Sequence, residues 1–113
     1  MDVDVITDYH AHIYFAEGDN AARDGSIALR EHIIDSFDGI EGMTREVAGG
    51  PHPTPMVQVN FPIVRFDDVV PWLMLNRGEL SVLVHPVTGH DVADHGDHAL
   101  WLGEPLPINF DAL

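Results

Sequence analysis

Across residues 8–15 the chain alternates, with Tyr9, Ala11, Ile13 and Phe15 in one set of positions and His10, His12 and Tyr14 in the other. A period of two predicts a β-strand with two different faces, because successive side chains leave a pleated strand on opposite sides. The period then changes. Over residues 20–37, Ala22, Ile27, Leu29, Ile33, Ile34 and Phe37 recur at near-helical spacing, which predicts an amphipathic helix punctuated by Gly39 and Gly42, with Gly25 weakening its start. MTREVAG, residues 43–49, predicts a second and more exposed strand. GGPHPTP follows as a turn that no helix could cross.

MVQVNFPI, residues 56–63, alternates again, with Val57, Val59 and Phe61 against Gln58 and Asn60. Residues 66–76 predict a helix carrying Val69, Val70, Leu73 and Met74, compatible with Pro71 only in its first turn and capped by Gly78. ELSVLVHP, residues 79–86, is the last predicted strand, with Leu80, Val82 and Val84 against Ser81, Leu83 and His85. The order is that of an α+β, ferredoxin-like βαββαβ domain: a four-stranded antiparallel sheet with both helices on one face. In that topology the first and third strands are central and the fourth flanks the first. Tyr9, Ala11, Ile13, Val57, Val59, Phe61, Leu80, Val82 and Val84 then face the helices. His10, His12, Tyr14, Gln58, Asn60 and His85 form a polar row on the opposite face. Neighbouring strands lie about 4.8 Å apart and same-face residues about 7 Å apart, so these side chains converge on one small site.

Composition narrows the chemistry. The length of 113 residues fits a single domain over residues 1–113 that gains from an additional covering surface such as a dimer contact. No apolar run approaches the roughly 20 residues of a membrane span, and the N-terminus lacks a basic region followed by an apolar one, so the cytoplasm is the expected location. The net charge of −14, with arginine as the only basic residue type, makes nucleic acid an unfavourable partner. The absence of cysteine excludes disulfides, thiolate-held zinc, iron–sulfur clusters and thiol nucleophiles, so any metal is held by nitrogen and oxygen.

Eight histidines stand out against that background. His52 lies in a Pro-stiffened loop just before the third strand, where it can swing over the face that carries His10, His12 and His85. Several histidines converging from separate elements suit a divalent metal bound through neutral ring nitrogens. His90, His95 and His98 alternate with Asp91, Asp94 and Asp97 near the C-terminus, as a solvated acidic loop or as a lid over the cleft. ALWLG after them reads as a strand or a tight turn, with Trp101 packing on the domain or on a partner subunit. Arg45 and Arg65 are anchors for an anionic group or ordinary surface charges.

YHAHIYF, GPHP, LSVLVHP and DHALWLGEPLPIN, in that order, resemble the fungal-type DOPA 4,5-dioxygenase family over residues 8–109. The resemblance implies a ferredoxin-like fold paired as a dimeric α+β barrel, and extradiol cleavage of a DOPA-like catechol by dioxygen at a non-haem metal. Its histidine motifs fall on His10 and His12, His52, His85 and His98. In the roles this implies, His12, His52 and His85 ligate Fe(II), or another divalent metal such as Zn, and His10 and His98 serve as acid/base. The partners implied are a small aromatic diol and dioxygen. The ligand set is either all histidine or completed by a loop carboxylate such as Glu46, Asp94 or Asp97. Two other classes fit the same residues: a non-catalytic metal- or small-ligand-binding protein, and a cofactorless monooxygenase or isomerase of the dimeric α+β barrel type.

Overall fold

In the computed structural model, which describes residues 1–113, strand β1 (Asp8–Tyr14) lies at the centre of the sheet. It pairs with β3 (Met56–Pro62) on one side and β4 (Val82–Pro86) on the other. Strand β2 (Glu41–Arg45) extends the sheet beyond β3, and β5 (Leu100–Leu102) extends it beyond β4. The order is β2-β3-β1-β4-β5, and every neighbouring pair is antiparallel. The sheet is therefore five-stranded, not four-stranded as expected. The expected first and third strands do lie inside it. Strand β2 is displaced from its expected position, starting at Glu41 and ending at Arg45.

Helices α1 (Asn20–Ser36) and α2 (Phe66–Asn76) supply the cover for one face. Asp19 caps α1 by accepting from the Ala22 amide at 3.0 Å. Ala11, Ile13, Val57, Val59, Phe61, Val82 and Val84 are buried against Ile33, Val69, Val70 and Leu73, with Tyr9 and Leu80 packed at the margin. Each aliphatic or aromatic side chain removed from water here contributes about 1.5–3 kcal/mol, so the alternation decides which face is internal. Close approach of α1 to β2 depends on Gly42. A Cβ there would stand 2.9 Å from Ile34 Cδ1 and against the Arg30 stem, while Arg30 donates to Thr44 Oγ1 on the same side.

Pro71 departs from its expected position. It is the sixth residue of α2, where it supplies no amide for the Asp67 carbonyl. Pro71 and Asp67 are both exposed, so the loss of this bond falls on the solvent side of the helix. Gly78, at φ +60°, follows the helix in the left-handed conformation that its capping role needs.

The opposite face carries an addition that the pattern did not foreshadow. A short helix, α3 (Asp91–His95), and the segment after it fold back over β1 and β4, so the helices are not confined to one face. Trp101 packs on its own sheet, stacked on Tyr14 with centroids 5.9 Å apart. Tyr14, Met56 and Leu83 are buried there with Ala99, Trp101, Leu106 and Ile108 around them. Over β2 the same face stays open, with Glu41, Met43 and Arg45 exposed. No helix is long and apolar enough to cross a membrane.

Candidate metal centre

Directly paired residues of an antiparallel sheet share a face, and the register places His10 opposite both Asn60 and His85, and His12 opposite Gln58. The expected polar row is therefore built, although most of it is covered. His12, His85 and His52 are only 2%, 3% and 8% exposed. His52 reaches the site from a tight loop in which Gly49 and His52 exchange backbone hydrogen bonds and Gly50 takes φ +55°. The C-terminal segment pins this loop through the Asn109 amide on the Pro51 carbonyl, 2.9 Å. His52 and His12 have ring centroids 4.3 Å apart.

His95 joins them from α3, its ring 4.1 Å from that of His85. From the sequence alone, His95 fits a solvated loop or a lid equally. The available signal was the four-residue spacing of Asp91 to His95 and Asp94 to His98, a helical period inside an acidic stretch. Asp94 fixes α3 in place. It is 1% exposed and accepts from the Thr88 amide at 2.8 Å, the Thr88 hydroxyl at 2.7 Å and His98 Nδ1 at 3.0 Å. Burial alone would raise its pKa; the Thr88 and His98 bonds outweigh that and hold the carboxyl below the usual range.

Two tautomers follow from hydrogen bonding, because a carbonyl oxygen can only accept. His85 Nδ1 lies 2.8 Å from the Pro86 carbonyl and His95 Nδ1 2.8 Å from the Asp91 carbonyl, so both Nδ1 atoms carry the proton and both Nε2 atoms keep a lone pair. His85 Nε2 stands 3.0 Å from His12 Nε2, and the buried His12 Nδ1 has no partner. If His12 carries its proton on Nε2, its Nδ1 is an orphaned acceptor. If the proton is on Nδ1, two lone pairs oppose each other. A cation shared by the two Nε2 atoms removes that repulsion, and imidazoles at right angles about 2.1 Å from one ion stand about 3 Å apart, so the pair fits a metal.

The ring nitrogens assemble two groups with ligand atoms within 4.8 Å of one another: His10, His12 and His85, and His12, His52 and His95. His12 belongs to both. The set His12, His52 and His85 does not form one such group, and His10 stands among the ligand candidates. His98 lies outside both groups, with its Nδ1 on Asp94. No carboxylate enters either group. Glu46 is held by Arg23 at 2.6 Å, Asp94 is occupied by Thr88 and His98, and Asp97 is exposed.

Burial and mutual repulsion favour the neutral form of His10, His12, His52 and His85, the state a ligand needs. Burial, followed by the neighbouring His52, His85, His10 and His95, holds the His12 pKa well below its usual value. His52 is lowered to about 4 by burial, with His95 and Arg45 adding to it. His85 is also lowered to about 4 by burial, against the opposing pull of its bond to Pro86. Burial raises the pKa of Tyr14, whose hydroxyl shares a 2.8 Å hydrogen bond with His52 Nδ1. An unfolded imidazole titrates near 6.5, so between pH 6.5 and about 4 the unfolded chain binds more protons than the folded one. Stability is thus fully present above that window and falls as pH drops through it, by on the order of 3 kcal/mol for each fully shifted histidine. Thermal unfolding of metal-free protein at pH 7 and pH 4.5 checks this: a steep loss of midpoint is expected, and a flat profile would contradict the burial.

A profile of the Dopa 4,5-dioxygenase family matches residues 9–112. The chain belongs to the Dopa 4,5-dioxygenase family. It is 31% identical over 110 residues to the DOPA 4,5-dioxygenase of Amanita muscaria, covering 92% of this chain and 48% of that protein. An uncharacterized 21.2 kDa protein of Botryotinia fuckeliana is 44% identical over 68 residues, 53% of this chain and 37% of that one. This family member thus spans about half or less of the length of those relatives. A crystal structure from Nostoc punctiforme PCC 73102, assigned as a candidate dioxygenase, superposes with a TM-score of 0.91 at 42% identity, covering 99% of this chain and 95% of that one.

Proposed function

We propose that the chain is an extradiol ring-cleaving dioxygenase acting on a DOPA-like catechol in the cytoplasm, with a divalent metal held by histidine alone. The observation that carries this is the His12–His85 pair, with Nε2 atoms 3.0 Å apart and the His85 tautomer fixed. Family membership supplies the reaction class. His10, His12 and His85 are the proposed ligands because they stand together on two paired strands, the most rigid support available. When bound, Fe(II) would supply Lewis acidity toward the diol and electrons toward dioxygen, whereas Zn, the alternative occupant, would supply Lewis acidity alone.

The chain's own residues handle the protons. His52, neutral and with Nδ1–H donating to the Tyr14 hydroxyl in this reading, takes a phenolic proton at Nε2 and returns it from there as the ring opens. Both oxygen atoms of dioxygen end in the product. His98 acts on α3 through Asp94, and so positions His95 without touching the substrate. The fold is proposed to pair as a homodimer over the exposed β2 side of the sheet, where Met43 is 43% exposed. A monomer mass by light scattering at working concentration would remove that pairing.

The test of function is anaerobic Fe(II) reconstitution of untagged protein, followed by air and a panel of catechols. A yellow ring-fission product with matching oxygen uptake is expected. Metal binding without oxygen uptake would make the protein a binder. Turnover surviving chelation would make it a cofactorless enzyme.

A further inference from the structure

Four of the five arginines have partners that fix them: Arg23 on Asp24 and Glu46, Arg30 on Glu31 and Thr44, Arg65 on Asp68 and the Asp38 carbonyl, and Arg77 on the Gly78 and Leu80 carbonyls. The Arg45 guanidinium makes no hydrogen bond or ion pair. In a chain carrying nineteen carboxylate residues and a net charge of −14, an unpaired guanidinium is the exception. Its place is set by register. Thr44 points at α1, where Arg30 donates to it, so Arg45 leaves β2 on the opposite face. There it is paired with Met56, which in turn is paired with Tyr14, on the same side as His10 and His12. The guanidinium lies over the loop that carries His52: a Cβ on Gly49 or Gly50 would stand 3.7 Å from its nitrogens.

We infer that Arg45 is the specificity-determining residue of the site and binds a carboxylate carried on a short arm of the aromatic substrate. The inference rests on the catechol reading of the histidine site and adds to it the residue that reads the carboxylate a DOPA-like catechol carries. Two strand spacings, about 10 Å, separate β2 from β1, and Arg45 lies level with Tyr14, about 7 Å along the strand from His12; the arginine side chain shortens this diagonal of roughly 12 Å to what an aryl ring with a short arm spans. The rest of the surface repels anions, so a lone fork of guanidinium donors both attracts and orients one. Arg65, the other arginine read as an anchor, is already tied to Asp68 and the Asp38 carbonyl.

The test is calorimetric titration of the anaerobic Fe(II)-loaded full chain with 3,4-dihydroxyphenylacetate and with 4-methylcatechol, for the parent, Arg45→Gln and Arg45→Lys. The parent is expected to bind the acid roughly 10-fold more tightly than the neutral catechol, the worth of one solvent-exposed charge-assisted contact. Arg45→Gln should erase that difference while leaving metal content and 4-methylcatechol binding unchanged. Arg45→Lys should recover part of it, since the charge returns without the fork. Equal loss for both ligands, unchanged binding of the acid, or a parent that binds neither catechol overturns the inference. Arg45-dependent binding of the acid with no ring-fission product in air leaves Arg45 as the anchor and removes the ring-cleavage reading instead.

Discussion

Replacing His12 by alanine is expected to abolish metal retention and turnover together. His12 is the one residue common to both histidine groups, so its loss leaves neither with three donors. It is also the partner that faces the fixed lone pair of His85 at 3.0 Å. A site reduced to two strong ligands loses affinity by more than roughly 100-fold and loses its geometry as well. The fold should survive. The substitution removes a buried ring whose Nδ1 has no partner, which offsets part of the cost of the cavity. Metal content after dialysis, oxygen uptake with a catechol and circular dichroism of the same sample decide it. His12→Ala protein that stays folded and holds metal at the parent's stoichiometry would show that the shared histidine is not the core of the centre.

Much of this arrangement was legible in the chain because alternation is a local property with a global consequence. The pattern Tyr9, Ala11, Ile13 against His10, His12, Tyr14 could meet the helices on only one side, and burial of the apolar set left the histidines on the other. What stayed hidden depends on contacts distant in sequence. A five-residue helix such as α3 is unstable alone and forms because the buried Asp94 ties it to Thr88. The four-residue spacing of Asp91 to His95 and Asp94 to His98 announces a helix, but the tertiary bond that carries His95 to the site is not written in it. Strand β2 is placed by pairing with β3 and by the seat that Gly42 offers α1, which overrides the weak strand propensity of residues 46–49. The grouping of the histidines was illegible for the same reason: the motifs name them, but only the fold brings His10 together with His12 and His85, and His52 together with His12 and His95.

The proposed exchange of roles between His10 and His52 has a measurable consequence. His10 pairs directly with His85 across β1 and β4, whereas His52 arrives on a loop with its Nδ1 engaged by Tyr14 at 2.8 Å. His52→Gln is therefore expected to keep bound metal close to the parent's level while slowing turnover by roughly 10²–10⁴-fold, the usual worth of a positioned proton-transfer group. His10→Ala should instead release the metal, as His12→Ala does. Tyr14→Phe separates positioning from ligation further: it leaves the ring of His52 in place without its hydroxyl partner, so turnover should fall and its pH dependence shift while metal content holds. The two single substitutions at His10 and His52 thus produce opposite pairs of readings, metal lost or metal kept, for a comparable loss of activity. If His52→Gln releases metal and His10→Ala retains it, the centre is built on the second group, His12, His52 and His95, and His10 returns to the acid/base role that the family motifs imply.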